Sequence, residues 1–304
     1  MTTVRDADRS ADQAASLWER AQHSGTPLWH RGEDETHWAT FVHRARAAAD
    51  HPDGVAAVHL HINRVTDKQD HARGYMNHIP GTDMWELTLQ LPPTLRACYG
   101  FTPLKPGQEP LRGPQELGIQ TTRHDPMSSR PPMVSHGAFG LSVLAGPEAP
   151  EQPEWETPGA LRRLRGGVLG EQVILPSDGR PRGHQLYLPP RALEADALEA
   201  GAASASGLNA EVPLLTLFDA ETWFGDMGLP LALDAAIAFG RIPEVAVLGI
   251  ANTHLADRVA RLGADSAFLR DVASTSTRWA EDHATAHGIR LAGREGRIIA
   301  GQSL

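Results

Sequence analysis

The chain has 304 residues, 41% of them apolar, which is length and hydrophobic material enough for two domains with ordinary cores. A net charge of -9 excludes a general affinity for nucleic acid or anionic membrane, both of which favour basic surfaces. Cys98 is the single cysteine, which excludes an internal disulfide and a cysteine-built zinc site. The charged start from Met1 to Ser24 lacks the apolar core of a signal peptide, and no stretch approaches the ~20 apolar residues of a membrane helix. A protein of the reducing cytoplasm, with no nucleic-acid and no membrane partner, is the expectation.

From Ala11 to Ala21, the residues Ala14, Ala15, Leu17, Trp18 and Ala21 fall on one side of a short helix that Gly25-Thr26-Pro27 closes. From Trp29 to Phe101 the pattern alternates, in Trp38-Ala-Thr-Phe-Val-His, Val55-Ala-Ala-Val-His-Leu-His-Ile and Met84-Trp-Glu-Leu-Thr-Leu-Gln-Leu, between Asp/Gly/Pro turns. Short strands in succession predict a β-sandwich. The Pro- and Gly-crowded stretch from Thr102 to Pro158 reads as a linker or an extended wrapping segment that carries a domain boundary.

After Gly166, strands alternate with helices. Val173-Ile174-Leu175 and Gln185 to Leu188 predict a hairpin, Val212 to Phe218 a buried strand, Leu229 to Phe239 a helix, and Val245 to Ile250 a second buried strand. Ala264 to His287 then predicts a long helix and Arg297 to Ala300 a last strand. That order is α/β with a parallel sheet. The Ala/Ser/Gly-rich tract from Leu193 to Gly207 is a connector. The expected domains are a helical leader over 1–24, a β-sandwich with its Pro-rich linker over 25–158, and an α/β domain over 159–304.

The last strand runs into Gly301-Gln302-Ser303-Leu304, the first part of the G-x-S-x-G turn on which an α/β-hydrolase exposes its nucleophile; the second glycine of that motif is absent. In that context Ser303 is the candidate nucleophile, and Leu304 the first backbone donor to an oxyanion. A second donor comes from the loop after an earlier strand, where Asp219-Ala220-Glu221-Thr222-Trp223 stands, so Ala220 is the candidate. Asp219 is expected to cap the following helix, with Glu221 also structural. His59 and His61 share one strand face without a third ligand at a fixed spacing, so no metal is expected. His283 and His287 lack the glutamate of H-E-x-x-H, because Ala284 stands there, and read as solvated. Arg258 follows the strand Val245 to Ile250, on the side of a parallel sheet where ligands bind, and is a candidate partner for an anionic substrate.

Taken together, the chain resembles the enterochelin (ferric enterobactin) esterases over about Gly25 to Leu304. The resemblance rests on Gly25-Thr26-Pro27-Leu28, Thr40-Phe41-Val42-His43-Arg44, Asn63-Arg64-Val65-Thr66-Asp67, Pro80-Gly81-Thr82-Asp83-Met84-Trp85 with Tyr99-Gly100-Phe101, Asp125-Pro126, and Ser142-Val143-Leu144 before the stretch reaching Trp155. In the second half it rests on Asp219-Ala220-Glu221-Thr222-Trp223, in place of the family's D-G-E-x-W-like turn, and on Ala300-Gly301-Gln302-Ser303. The family's R-x-x-E-L reads Arg258-Val259-Ala260-Arg261-Leu262, with one charge reversed, and its E-L-L-P-like segment reads Ser274-Thr275-Ser276-Thr277-Arg278.

This resemblance implies an N-terminal β-sandwich followed by the N-terminal half of an α/β-hydrolase domain, α/β plus β. It implies a cytoplasmic serine esterase that opens iron-loaded catecholate siderophores and so releases iron. Ser303 would be the nucleophile, Ala220 and Leu304 the oxyanion donors, and Arg258 and Trp223 substrate-binding. The partner would be a ferric catecholate siderophore whose catechol oxygens hold the iron, so the protein needs no cofactor or metal of its own. The family's catalytic histidine and acid lie beyond the elbow, so the chain as it stands is expected to have little or no esterase activity. A sheet interrupted there would also leave an unpaired edge. A non-catalytic module that binds a siderophore or a partner, and an esterase for another substrate class, are the alternatives.

Overall fold

A computed structural model describes residues 4–5, 10–66, 68–108, 122–130, 132–135, 139–156, 164–190 and 211–301. The chain divides into two compact units, Met1–Gln152 and Pro153–Leu304. In the first, the helix Ala11–Ser24 starts at a capping box in which the Ser10 hydroxyl accepts from the Gln13 amide and the Gln13 side chain accepts from the Ser10 amide. Its buried residues Ala14, Leu17 and Ala21 recur at helical spacing and pack with Leu28, Val42, Ile79 and Met84. The leader is therefore part of the first unit's core.

The described residues of that unit form nine strands: β1 (Val4–Arg5), ahead of the helix, then β2 (Leu28–Arg31), β3 (His37–Arg44), β4 (Ala57–Ile62), β5 (Asn77–His78), β6 (Met84–Gln90), β7 (Arg96–Leu104), β8 (Met133–Ser135) and β9 (Phe139–Ala145). One antiparallel sheet has the order β1-β6-β3-β2 with β5 also on β6; the other has the order β4-β7-β9-β8. Phe41, Leu87 and Leu89 of the first share one apolar core with Leu60, Ile62, Tyr99, Phe101 and Leu144 of the second. The stretch read as a linker contributes β8 and β9 to this unit. Its Pro and Gly residues flank a strand whose Leu141 and Leu144 are buried. Buried Asp125 ties the segment down, accepting from the Tyr99 hydroxyl at 2.9 Å and from the Thr26 hydroxyl, while its amide donates to Ser142 Oγ at 2.8 Å.

The division falls at Gln152/Pro153, earlier than the expected 158/159. The helix Pro153–Glu156 packs Trp155 against the apolar cluster of Tyr187, Leu229 and Leu233, and so belongs with the second unit.

The second unit holds a five-stranded mixed sheet ordered β10-β11-β13-β12-β14, built from β10 (Gly167–Ile174), β11 (Pro181–Leu188), β12 (Leu214–Phe218), β13 (Ala246–Ile250) and β14 (Arg297–Ala300). β10, β11 and β13 are antiparallel in turn; β13, β12 and β14 run parallel. Alternation sends Leu186, Leu214, Phe218, Leu248 and Ile250 to one face, under Phe268, Val272, Ala280 and Ala284 of the later helices. It sends Tyr187, Leu217 and Val247 to the other, under Leu229 and Leu233 of the helix Leu229–Ala238. Helices thus cover both faces, which is why β13 is buried along its whole length. The long helix expected from Ala264 is two helices, Ser266–Asp271 and Thr277–Ala286, joined through a π-turn at Val272–Ser276. At that turn, buried Ser276 meets buried His184 Nε2 at 2.8 Å. His283 is not simply solvated: it meets Glu171 at 3.3 Å, and His287 bonds the His283 carbonyl. β14 is the outermost strand among the described residues, and its Ile298 and Ile299 are exposed.

No helix among the described residues is long and apolar enough to cross a membrane.

Candidate active site

The three parallel strands end at one edge of the sheet, and register fixes what stands there. Leu217 of β12 pairs with Ala300 of β14, and Phe218 pairs with Ile250 of β13. Three segments therefore emerge side by side: Asp219-Ala220 after β12, Ala251-Asn252 after β13, and Gly301 after β14. A Cβ built on Gly301 would lie 3.6 Å from the Phe218 ring. Ser303 and Leu304 lie outside the described residues.

The turn after β12 is conformationally unusual. Asp219 has φ +61°, left-handed for a residue with a Cβ, and its carbonyl accepts from the amides of Thr222 and Trp223 at 3.0 and 3.1 Å. Its side chain does not cap the helical turn that follows, as the residue pattern had suggested. It faces sideways, where Arg258 donates Nε to Oδ1 at 2.8 Å and Nη2 to Oδ2 at 3.0 Å, and Asn252 donates Nδ2 to Oδ1 at 2.6 Å. Hydrogen bonding to this carboxylate, ahead of its charge, raises the Arg258 pKa further above its already high ordinary value. Glu221 accepts from the Asn252 side chain at 2.9 Å and from the Asn252 amide at 3.0 Å. Ala220, fully buried between them, opens the helical turn.

Gly249, in the middle of β13, makes room for this turn. A Cβ there would lie 2.6 Å from the Phe224 ring and 2.9 Å from Ala220 Cβ. Gly249→Ala is therefore expected to shift both and to destabilise the second unit by about 1–3 kcal/mol. Urea unfolding checks this, and an unchanged midpoint would show that the turn gives way freely.

Arg258 lies on the helix Leu255–Leu262, entered through His254, whose Nδ1 accepts from the Asp257 amide at 3.1 Å. The neighbouring Asp257 faces the other way, to Arg182 of β11. Hydrogen bonds from that guanidinium hold the Asp257 carboxyl well below the usual carboxylate range. Trp223 packs against Leu217, Leu229, Leu233 and Val247, and its indole Nε1 is buried without a hydrogen-bond partner.

Of the expected site residues, Ala220, Trp223 and Arg258 gather at this edge. Arg258 is engaged by a carboxylate of its own chain. Asn252 was missed, although its place two residues beyond a buried parallel strand is a usable signal. His59, fully buried, bonds the His71 carbonyl through Nε2 at 2.7 Å. Among the described residues, no three of His, Cys, Asp and Glu are grouped to hold a metal.

Residues 39–155 match the family described as enterochelin esterase, N-terminal. The iron(III) salmochelin esterase of Escherichia coli O6:H1 is 32% identical over 262 residues, covering 84% of this chain and 58% of the relative. The iron(III) enterobactin esterase of Escherichia coli K12 is 25% identical over 252 residues, covering 79% of this chain and 58% of the relative. The chain thus spans a little over half the length of these curated relatives. Among solved structures, ferric enterobactin esterase from Salmonella typhimurium superposes with a TM-score of 0.71 at 22% identity, over 95% of this chain and 70% of that one. The Shigella flexneri enterobactin esterase determined in the presence of enterobactin gives 0.68 at 21%, over 95% and 69%. These likenesses show a shared mixed α/β fold. The match of residues 39–155 to that family's N-terminal model, together with these relatives, supports the enterochelin esterase family for this chain.

Proposed function

We propose that the chain is a serine esterase of ferric catecholate siderophores, built as a β-sandwich followed by the first part of an α/β-hydrolase domain and working in the cytoplasm. Ser303 is its nucleophile: the hydroxyl oxygen bonds to the ester carbonyl carbon as its proton passes to a general base and on to the alkoxide that leaves when the ester C–O bond breaks, water then frees the acyl group from the serine, and the backbone N–H groups of Ala220 and Leu304 receive the negative charge that develops on the carbonyl oxygen. Trp223, on the same turn, is the aromatic candidate for substrate contact. Arg258 stands at the same edge, with its guanidinium held by Asp219. The substrate brings its own iron, held by catechol oxygens, so the protein supplies no cofactor.

One observation carries this reading: β14 lies parallel to β12 in the register Leu217 to Ala300, so the chain leaves the sheet beside the turn that holds Ala220. The substrate class draws support from the names of the relatives, esterases of iron(III) salmochelin and iron(III) enterobactin. Titration with ferric and iron-free enterobactin, followed by tryptophan fluorescence, tests it, with chromatography of the released catecholate as the second readout. A saturable change stronger for the ferric form is expected, with little or no ester cleavage by the chain as it stands, any residual cleavage being lost in Ser303→Ala while binding is kept. No saturable change with either form would overturn the substrate class, and cleavage that survives Ser303→Ala would remove the nucleophile.

A further inference from the structure

We propose that Arg258, together with Asn252, is a positioning residue that holds Asp219 in its left-handed conformation and so fixes the direction of the Ala220 amide. The inference rests on the proposed role of Ala220 and gives Arg258 a different task from direct contact with substrate. An L-residue leaves the left-handed region unless its surroundings over-determine it. Here they do so: the Asp219 carboxylate, on a residue only 6% exposed, takes three hydrogen bonds, two of them from the fork of one guanidinium.

The same loop grips the other side of the turn. Asn252 uses one Nδ2 hydrogen on Asp219 and the other on Glu221, and its amide adds a second bond to Glu221. Residues 219 and 221 are thereby tied to the segment after β13, with Ala220 held between them and packed on Gly249. An oxyanion donor acts only if it is already aimed when charge develops. A guanidinium matched by both oxygens of a buried carboxylate is also poorly placed to serve as an open binding cation.

Asp219→Gly separates the two tasks, since glycine adopts positive φ without strain and needs no brace. Amide hydrogen exchange of Thr222 and Trp223, which bond the Asp219 carbonyl, is measured by NMR with β6 amides as the internal reference. Arg258→Ala is expected to speed that exchange at least tenfold, and Arg258→Lys by a smaller factor. Arg258→Ala combined with Asp219→Gly should exchange within about threefold of Asp219→Gly alone. Unchanged exchange in Arg258→Ala, or a full tenfold effect persisting in the Asp219→Gly background, overturns the proposal. In ferric enterobactin titrations, a loss of affinity on Arg258→Ala that is equal in both backgrounds also overturns it, because the arginine would then act on the ligand itself. Expected exchange behaviour with no binding in any variant upholds the positioning role and defeats the substrate assignment instead.

Discussion

Arg182→Ala is expected to destabilise the second unit by about 3–5 kcal/mol, the range for breaking a buried ion pair from one side. Arg182 is 1% exposed, on β11. Its Nη1 donates to the Ala251 carbonyl and to Asp257, both at 2.9 Å; its Nη2 donates to Asp178 at 2.8 Å and to Asp257 at 2.9 Å. The guanidinium carbon lies 5.1 Å from the Phe268 ring centroid. Removing it strands two carboxylates whose side chains are only 6% and 9% exposed. Arg261 softens the loss, since it reaches Asp178 at 3.0 Å and Asp257 at 3.5 Å, but it cannot supply the missing fork.

Urea unfolding of the second unit measures the effect, and a loss below about 1 kcal/mol would mean that water replaces the guanidinium at little cost. The sign of the pH dependence follows from Asp257. Its folded pKa is depressed, so its contribution is complete above the ordinary aspartate range near 4 and is lost as pH falls toward the folded value. Arg182→Ala should therefore flatten the acid limb of the second unit's stability curve while lowering its plateau.

Acid should weaken the first unit earlier, through His59. This ring lies edge-on to Tyr75 at 5.3 Å, its Nε2 bonds the His71 carbonyl, and its Nδ1 is buried without a partner. Protonation would place a charge and an unbonded N–H there. Burial, the largest cause, lowers the pKa to about 4, against a smaller opposing effect of the His71 carbonyl. The unfolded chain therefore binds a proton first. Stability is complete above about pH 6.5 and falls as pH passes from there through about 4, by about 3 kcal/mol in all. Half-buried His43, whose pKa is also lowered by desolvation, adds to the trend. The comparison that isolates His59 is the pH slope of the unfolding midpoint in wild type and His59→Gln. The variant should be flatter between pH 6.5 and 4, and parallel slopes would show that His59 stays neutral throughout.

Much of the architecture was legible in the residues because its signals are local. The stripe Ala14, Leu17 and Ala21 lies within about two turns of one helix. The apolar run Ala246–Ile250 marks a strand covered on both faces, and Arg297–Ala300 lies in the sheet as its β-branched residues suggested. What escaped depends on partners far apart in the chain. Asp219 looked like a helix cap because its neighbours are those of a cap, whereas its side chain is claimed by Asn252 and Arg258, 33 and 39 positions later. Arg182 had no feature to distinguish it until the fold brought Asp257 to it from 75 positions away. β8 and β9 were hidden by Pro- and Gly-rich flanks, which outweigh the two apolar residues of the short β8, while Gly140 and Ser142 interrupt the apolar residues of β9.

One consequence follows from the placement of Asp257 and Arg258 as consecutive residues. Side chains one apart on a helix diverge by about 100°, so this two-turn rod is bolted on one flank to β11 and on another to the end of β12. It acts as a crossbar: twisting it to relieve one bolt strains the other. Arg182, on the far side of β13 from β12, is thereby linked to Asp219 through this helix as well as through Ala251 and Asn252 at the end of β13.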